Sequence, residues 1–222
     1  MSRLPHKTSF NVVFCQHGIF DTVWTWLIHG MGESLGFQAR DSGFDVFMGQ
    51  YRGVYPRKLA KWKEERDGKD SFWDYGIDHI ARWDIYGFLT KIFEIKVHEY
   101  KAANNCEGMT DQQIRKFVRS KLKITYIGHS LGGMILPMYV VYSKLLKRPD
   151  HFLSKAILLS PAGTHFHANW VIKIIGQFFT YFAPLYTTNT HFPEYLLFGL
   201  QKLINDTKKM PAVDDLINYL CH

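Results

Sequence analysis

One short pattern in the chain has residue types that could perform covalent chemistry. Residues 128–132 read Gly-His-Ser-Leu-Gly, which places Ser130 between two glycines. A serine hydroxyl is a weak nucleophile until its surroundings expose and activate it, and a Gly-x-Ser-x-Gly turn between a strand and a helix provides the exposure. Because the pattern also recurs by chance, its meaning depends on the segments that flank it.

The flanking segments have the character that such a turn requires. The apolar segment 123–127 precedes the motif and is predicted to be a strand, and a helical pattern, 131–146, follows it. Gly128 and Gly132 relieve crowding in the tight turn, while Ser130 is held in a strained conformation at the end of the strand. The sequence therefore predicts Ser130 as the nucleophile of an acyl-transfer site.

Acyl chemistry also requires two backbone N–H donors for the oxyanion that develops on the carbonyl. The first candidate is the N–H group of Leu131, directly after the nucleophile. The apolar segment 11–16 is predicted to be another strand, and His-Gly and then Ile19 follow it. The N–H group of Ile19 is therefore predicted as the second donor.

The elements that must position these residues alternate along the chain. Strands are predicted at 11–16, 44–49, 123–127 and 155–160, and helices at 22–35, 78–97, 110–120 and 131–146. Asp21 is expected to cap the first helix, and Thr110 with Gln113 has the spacing of a capping box. The alternation predicts an α/β fold with a mostly parallel sheet and right-handed crossovers.

The chain is expected to divide into a core, residues 1–163, and a partial helical lid or cap, residues 164–222. After Pro161 the pattern becomes helical and rich in aromatic residues, and no further strand is predicted. The sheet is therefore expected to be incomplete on its C-terminal side.

Composition limits the classes of function. A chain of 222 residues with 46% hydrophobic side chains is long enough for one globular core. The net charge of +7 comes from basic residues in short, scattered groups, so no nucleic-acid module is predicted and contact with lipid head groups is the better use of the charge. The three cysteines lie far apart, and neither a metal nor a cofactor is expected. Neither a signal peptide nor a transmembrane helix is predicted in this chain.

Several separated motifs agree in order and spacing with one known family. They are Gln-His-Gly-Ile at 16–19, Gly-Phe-Asp-Val-Phe-Met-Gly-Gln-Tyr-Arg-Gly at 43–53, Tyr-Pro-Arg-Lys at 55–58, Phe-Trp-Asp-Tyr at 72–75 and Gly-His-Ser at 128–130. Over roughly residues 11 to 162 the chain resembles the acid lipase family, which includes gastric and lysosomal acid lipases. Leu131 stands where these lipases commonly carry glutamine, and His79 where an acidic residue is usual.

The resemblance implies an α/β-hydrolase fold, a lipid ester substrate such as triacylglycerol or sterol ester, and an acyl-serine intermediate. It implies the same roles for Ser130, Ile19 and Leu131, and a secreted or lysosomal setting. It also implies a pair of strands ahead of Asn11, which this chain is expected to lack.

The motifs described so far do not include the acid and the base that a serine nucleophile needs. α/β-hydrolases take them, in the order acid and then histidine, from strands that follow the nucleophile. The residues that satisfy this order lie in the predicted cap: Asp206, Asp214, Asp215 and His222. Since no strand precedes them, the acid and base are expected to lie beyond this chain.

Four other polar residues near the predicted site have simpler explanations. His165 and His167 either line an acyl channel or belong to the link to the cap, and the link is favoured. His129 is expected to pack under the turn instead of acting as a base, because adjacent residues on a tight turn point apart. Arg52 is expected to pair with Asp84 and not to bind substrate.

Two hypotheses of function remain open. The first is a lipase-type serine hydrolase that cleaves carboxylic esters of lipids, with transfer of the acyl group to an alcohol as a variant of the same chemistry. The second is a lipid-binding or interaction module that keeps the scaffold without its acid and base.

Overall fold

The computed structural model describes residues 1–19, 21–54, 65 and 75–162, all of which lie within one compact unit, Met1–Thr164. Five strands form a single sheet in the order β1-β3-β2-β4-β5. The strands are β1 (Ser2–Leu4), β2 (Asn11–Gln16), β3 (Asp45–Gly49), β4 (Lys123–His129) and β5 (Leu153–Leu159). β1 pairs antiparallel with β3, and the other pairs are parallel. The predicted α/β class with a mostly parallel sheet is confirmed.

Helices cover both faces of this sheet. They are α1 (Leu35–Asp41), α2 (Ile85–Ala103), α3 (Asp111–Lys121) and α4 (Leu131–Leu145). A helical turn, Ile77–His79, and a π-helical segment, Ile80–Asp84, lead into α2. Buried residues of α2, α3 and α4 form one core with β2 and β4, and Val23 and Trp26 belong to a smaller core on the opposite face.

The predicted helix over 22–35 is wrong. Only a 3₁₀ helix, Val23–Trp26, forms in this region, and α1 begins at Leu35. Gly30 and Gly32 have φ angles of 78° and 87°, which no right-handed helix contains. The chain therefore turns at these glycines, although the spacing of the apolar residues around them had indicated one continuous helix.

The cap of that first segment also differs from the prediction. Thr22, and not Asp21, is the N-cap residue, and its side chain accepts a hydrogen bond of 3.3 Å from the backbone of Trp24. The Asp21 carboxylate instead accepts hydrogen bonds from the Thr22 backbone, at 2.8 Å, and from the Thr25 hydroxyl. The Asp21 side chain thus braces the turn from outside the helix.

The other predicted elements are confirmed with shifted boundaries. The predicted helix 78–97 extends to Ala103, and the predicted strand 155–160 runs instead from Leu153 to Leu159. The capping box of Thr110 and Gln113 is present, with both of its hydrogen bonds formed. In addition, β1 lies ahead of Asn11, where no strand had been expected.

A buried ionic cluster holds β1 in place. The Asp45 carboxylate, at the start of β3, accepts hydrogen bonds from Arg3 at 2.8 Å and from the Lys96 ammonium group at 2.8 Å. Lys96 also donates to Glu99, at 2.9 Å, and to the Lys7 carbonyl, at 2.8 Å. The cluster therefore ties β1, β3 and α2 together through groups that are shielded from water.

Some predictions fall on residues outside the described ranges. These are the cap over 164–222 and two motifs of the resemblance, 55–58 and most of 72–75. The division into a core and a cap therefore stays a prediction. Among the helices that the structure describes, none combines the length and the apolar character needed to cross a bilayer.

Candidate active site

The turn from β4 to α4 has the geometry that the motif predicted. Ser130 stands between the two elements with φ 51° and ψ −115°, a strained conformation for a residue with a side chain. Its N–H group donates to the carbonyl of Leu159 on β5 at 3.0 Å. Its own carbonyl accepts from the N–H groups of Met134 at 3.1 Å and Ala162 at 3.0 Å. Backbone contacts on both sides thus hold the strained residue.

The two glycines of the motif are required by close backbone approach. A Cβ atom at Gly132 would lie 2.3 Å from the carbonyl oxygen of Gln16 and 2.8 Å from that of His17. A Cβ atom at Gly128 would lie 2.6 Å from the Gly132 carbonyl oxygen. Helix α4 can therefore begin directly beside the end of β2 only because these positions have no side chain.

The loop after β2 contacts Ser130. A Cβ atom at Gly18 would lie 3.3 Å from Cβ of Ser130 and 3.7 Å from its hydroxyl oxygen. Ile19 follows Gly18 and is 56% exposed, and Leu131 is the first residue of α4, where backbone N–H groups have no partner within the helix. The structure therefore brings the segments of both predicted donors to the nucleophile, and their catalytic roles stay predictions.

Two buried side chains hold the carbonyl oxygen of Gly18. The Tyr51 hydroxyl donates to this oxygen at 2.6 Å, and Nδ1 of His17 lies 2.7 Å from it. The Tyr51 hydroxyl also lies 3.2 Å from the His17 carbonyl, and the two rings are 4.5 Å apart. Burial lowers the pKa of His17 and raises the pKa of the Tyr51 hydroxyl. Since a carbonyl oxygen can only accept, Nδ1 of His17 donates the hydrogen bond to Gly18.

Neither Tyr51 nor the His17 side chain was predicted from the sequence as part of the site. The signal that could have found them is the parallel pairing of β2 with β3, in which Gln16 lies opposite Gly49. Since the carboxyl ends of neighbouring parallel strands meet at one edge of the sheet, the residues just after each strand come together there. Tyr51, two positions beyond β3, reaches the loop after β2 in this way.

The predicted pairing of Arg52 with Asp84 is confirmed. The Arg52 guanidinium donates to the Asp84 carboxylate at 2.9 Å, and the backbone N–H group of Arg52 donates to it at 3.1 Å. The pair joins the loop after β3 to the π-helical segment, so Arg52 has a structural partner.

Histidines and carboxylates near Ser130 are of particular interest because a base must remove its proton. Within the described ranges, no hydrogen bond links the Ser130 hydroxyl to a histidine or a carboxylate. The Nδ1 atom of His129 is buried without a hydrogen-bond partner there, and it would lie 3.4 Å from a Cβ atom at Gly18. No cluster suited to a metal ion occurs in that part of the chain either. The other candidates named from the sequence lie outside the described ranges: His165, His167, Asp206, Asp214, Asp215 and His222.

Comparison with known proteins relates the chain to lipases. It is 27% identical over 187 residues to a tear acid lipase-like protein of Mesocricetus auratus, a match that covers 81% of this chain and 40% of that protein. It is 36% identical over 143 residues to the lysosomal acid lipase/cholesteryl ester hydrolase of Homo sapiens, covering 61% of this chain and 29% of the relative. Lipase lipl-5 of Caenorhabditis elegans is 26% identical over 173 residues, 76% of this chain and 35% of the relative. No protein-family model matches the chain.

The mostly parallel sheet and these relatives define the fold class: the chain has an α/β fold of the α/β-hydrolase type. Within that class, the resemblance to the acid lipase family is confirmed by the relatives. The chain spans well under half the length of the relatives that it matches.

Proposed function

We propose that this chain carries the nucleophile and oxyanion donors for lipase-type hydrolysis of lipid carboxylic esters. One observation carries the proposal: the hydroxyl group of Ser130 is mounted on a strained turn at a φ angle of 51°, directly against the loop at Gly18. Strain of this kind persists only where the surroundings impose it, and it clusters at sites of chemistry. Ser130, which is half-buried, therefore has the placement expected of a nucleophile.

The proposed reaction proceeds through an acyl-serine. The hydroxyl oxygen of Ser130 attacks the ester carbonyl, and the N–H groups of Ile19 and Leu131 stabilise the oxyanion of the tetrahedral intermediate. Each such donor typically contributes about 2.7 to 4 kcal/mol to transition-state stabilisation. Collapse of the intermediate expels the alcohol, and water then releases the fatty acid from Ser130. The base that accepts the serine proton is expected from the chain after the nucleophile.

The substrate class is inferred from the relatives. The human relative is named for both lipase and cholesteryl ester hydrolase activity, and the hamster relative is named as acid lipase-like. We therefore propose triacylglycerol or sterol ester as the substrate. The positive net charge of +7 is consistent with work at an anionic lipid interface.

The proposal is tested by labelling a full-length version of the protein with a fluorophosphonate probe, which forms a covalent bond to an activated serine. Ser130→Ala is expected to abolish labelling. Ser160→Ala is the matched control, because Ser160 also directly follows a strand and also has a positive φ angle, 42°. The Ser160→Ala variant should retain the label. Equal labelling of the wild type and Ser130→Ala would refute the assignment of the nucleophile.

A second candidate function is a non-catalytic lipid-binding module. The lack of any hydrogen bond from the Ser130 hydroxyl to a base within the described ranges favours it. In this case the full chain would bind a fatty acyl ligand without labelling and without turnover. Hydrolysis of a lipid ester by the full chain, abolished in Ser130→Ala, would exclude it.

A further inference from the structure

The carbonyl oxygen of Gly18 is the point at which the loop after β2 is anchored. The Tyr51 hydroxyl and the Nδ1 atom of His17 converge on this one oxygen, at 2.6 Å and 2.7 Å. Tyr51 is only 5% exposed and His17 is fully buried, so water does not compete for these hydrogen bonds. Two buried donors on one carbonyl fix the orientation of the peptide unit to which it belongs.

That peptide unit contains the N–H group of Ile19. A peptide unit is planar and trans, so its carbonyl and its N–H group point in opposite directions. When Tyr51 and His17 hold the Gly18 oxygen toward the protein interior, the N–H group of Ile19 is turned the other way. Ile19 is 56% exposed, so its segment lies at the protein surface.

The loop needs such an anchor because of Gly18 itself. Glycine at this position is compatible with the close approach to Ser130, where a Cβ atom would lie 3.3 Å from the serine Cβ. Glycine also has the largest backbone freedom of any residue, so the peptide that follows it can rotate. An oxyanion donor lowers the barrier only if its direction is fixed before reaction.

We infer that Tyr51 and His17 are positioning residues that aim the Ile19 N–H group at the oxyanion, by holding the opposite end of its peptide unit. This inference rests on the proposed function of Ser130. Burial keeps the Tyr51 hydroxyl protonated, since it raises the pKa, so the hydrogen bond persists at neutral and acidic pH.

The test compares two tyrosines that each donate a buried hydroxyl to a backbone carbonyl. Tyr51→Phe removes the hydroxyl at the loop and keeps the ring. Tyr139→Phe is the matched control, because Tyr139 is fully buried and donates at 3.0 Å to the His151 carbonyl, away from the Gly18 loop. Urea unfolding of both variants shows whether their losses of stability are comparable.

Three readouts on the full chain follow the loop. We expect Tyr51→Phe to speed hydrogen exchange of the Ile19 amide about tenfold or more, as for a segment that opens locally. It should slow phosphonylation of Ser130 about ten- to hundredfold, a smaller effect than the loss of a whole donor. It should also shift the ³¹P resonance of the phosphonyl-Ser130 adduct, whose oxygen occupies the oxyanion position. Tyr139→Phe should change none of the three.

The outcomes separate this inference from the proposed function. If the wild type takes no label, the proposed function fails, and exchange of the Ile19 amide alone then decides the role of Tyr51 in the loop. Faster exchange in Tyr51→Phe supports that role, and unchanged exchange overturns it. If Ser130 is labelled but Tyr51→Phe matches the wild type in rate and ³¹P shift, the inference is overturned and the proposed function stands.

Discussion

The missing side chain at Gly132 determines how closely helix α4 approaches the end of β2. The nearest atoms to a Cβ at this position are carbonyl oxygens of Gln16 and His17, which belong to a central strand and the turn that follows it. Backbone atoms in the middle of a sheet cannot move aside as the end of a flexible side chain can. The residue therefore couples the geometry of the nucleophile turn to the loop that carries Ile19.

Gly132→Ala is expected to destabilise the protein by about 1 to 3 kcal/mol or more, because the added methyl group overpacks the backbone beneath Ser130. Gly87→Ala is the matched control on α2, where a Cβ atom meets nothing within 4 Å. It should stabilise the protein by about 0.5 to 1 kcal/mol, since alanine is the better helix former. Urea unfolding measures both changes, and a Gly132→Ala variant as stable as the wild type would contradict the packing described for the turn.

β1 joins the sheet through its pairing with β3, the apolar packing of Leu4 and an ion pair of Arg3. It is only three residues long, and Arg3 at its centre binds Asp45. Burial by itself would raise the pKa of Asp45, but the hydrogen bonds from Arg3 and Lys96 outweigh it and the pKa is lowered. The unfolded chain therefore binds protons more readily at this carboxylate than the folded chain does. Its contribution to stability is present above the ordinary value of 3.8 and is lost as the pH falls below that value.

Lys96→Met is expected to cost about 3 to 5 kcal/mol at neutral pH, because it leaves buried carboxylates with one partner fewer. The pKa of Asp45 should rise toward its ordinary value of 3.8, so Lys96→Met should lose less stability than the wild type as the pH falls below that value. Lys91→Met, on an exposed position of the same helix, is the control and should stay within about 0.5 kcal/mol of the wild type. Urea unfolding from pH 7 to pH 3 tests this. If the free energy of unfolding changes with pH in the same way in Lys96→Met and the wild type, the result would argue against the cluster.

The elements that the sequence predicted well are those whose signal is local. β2 and β4 have mostly apolar centres, and the capping box of Thr110 marks the start of α3 directly. The helix over 22–35 failed because the apolar spacing continues through Gly30 and Gly32, and spacing does not reveal a positive φ angle. β1 is too short to show a pattern, and its stability depends on an ion pair between residues far apart in the chain.

The residues of the candidate site also differ in whether a local sequence signal predicts them. Ser130 and its glycines were predictable because one short motif contains the strand end, the turn and the helix start. The anchoring of Gly18 by Tyr51 was not, because the two residues lie 33 positions apart and meet only through the pairing of β2 with β3. The residues named from the sequence as possible acids and bases lie outside the described ranges, so their roles stay predictions.

At the scale of the described core, the turn at Ser130 and the segments of Ile19 and Leu131 lie at one edge of the sheet. The turn lies at the carboxyl end of β4, and the loop of Gly18 lies at the carboxyl end of the neighbouring β2. This is the edge at which open parallel sheets place their ligands. Among the described residues, this edge beside Ser130 is where we propose that the ester carbonyl binds.

The central claim is that an acyl group is transferred to Ser130. The most direct measurement is mass spectrometry of peptides from the full chain after brief incubation with a long-chain p-nitrophenyl ester and acid quenching. We expect the mass of the acyl group on the peptide that contains Ser130, and no such mass in Ser130→Ala. An acyl group that forms on another residue, or no acyl group despite ester turnover, would contradict the account.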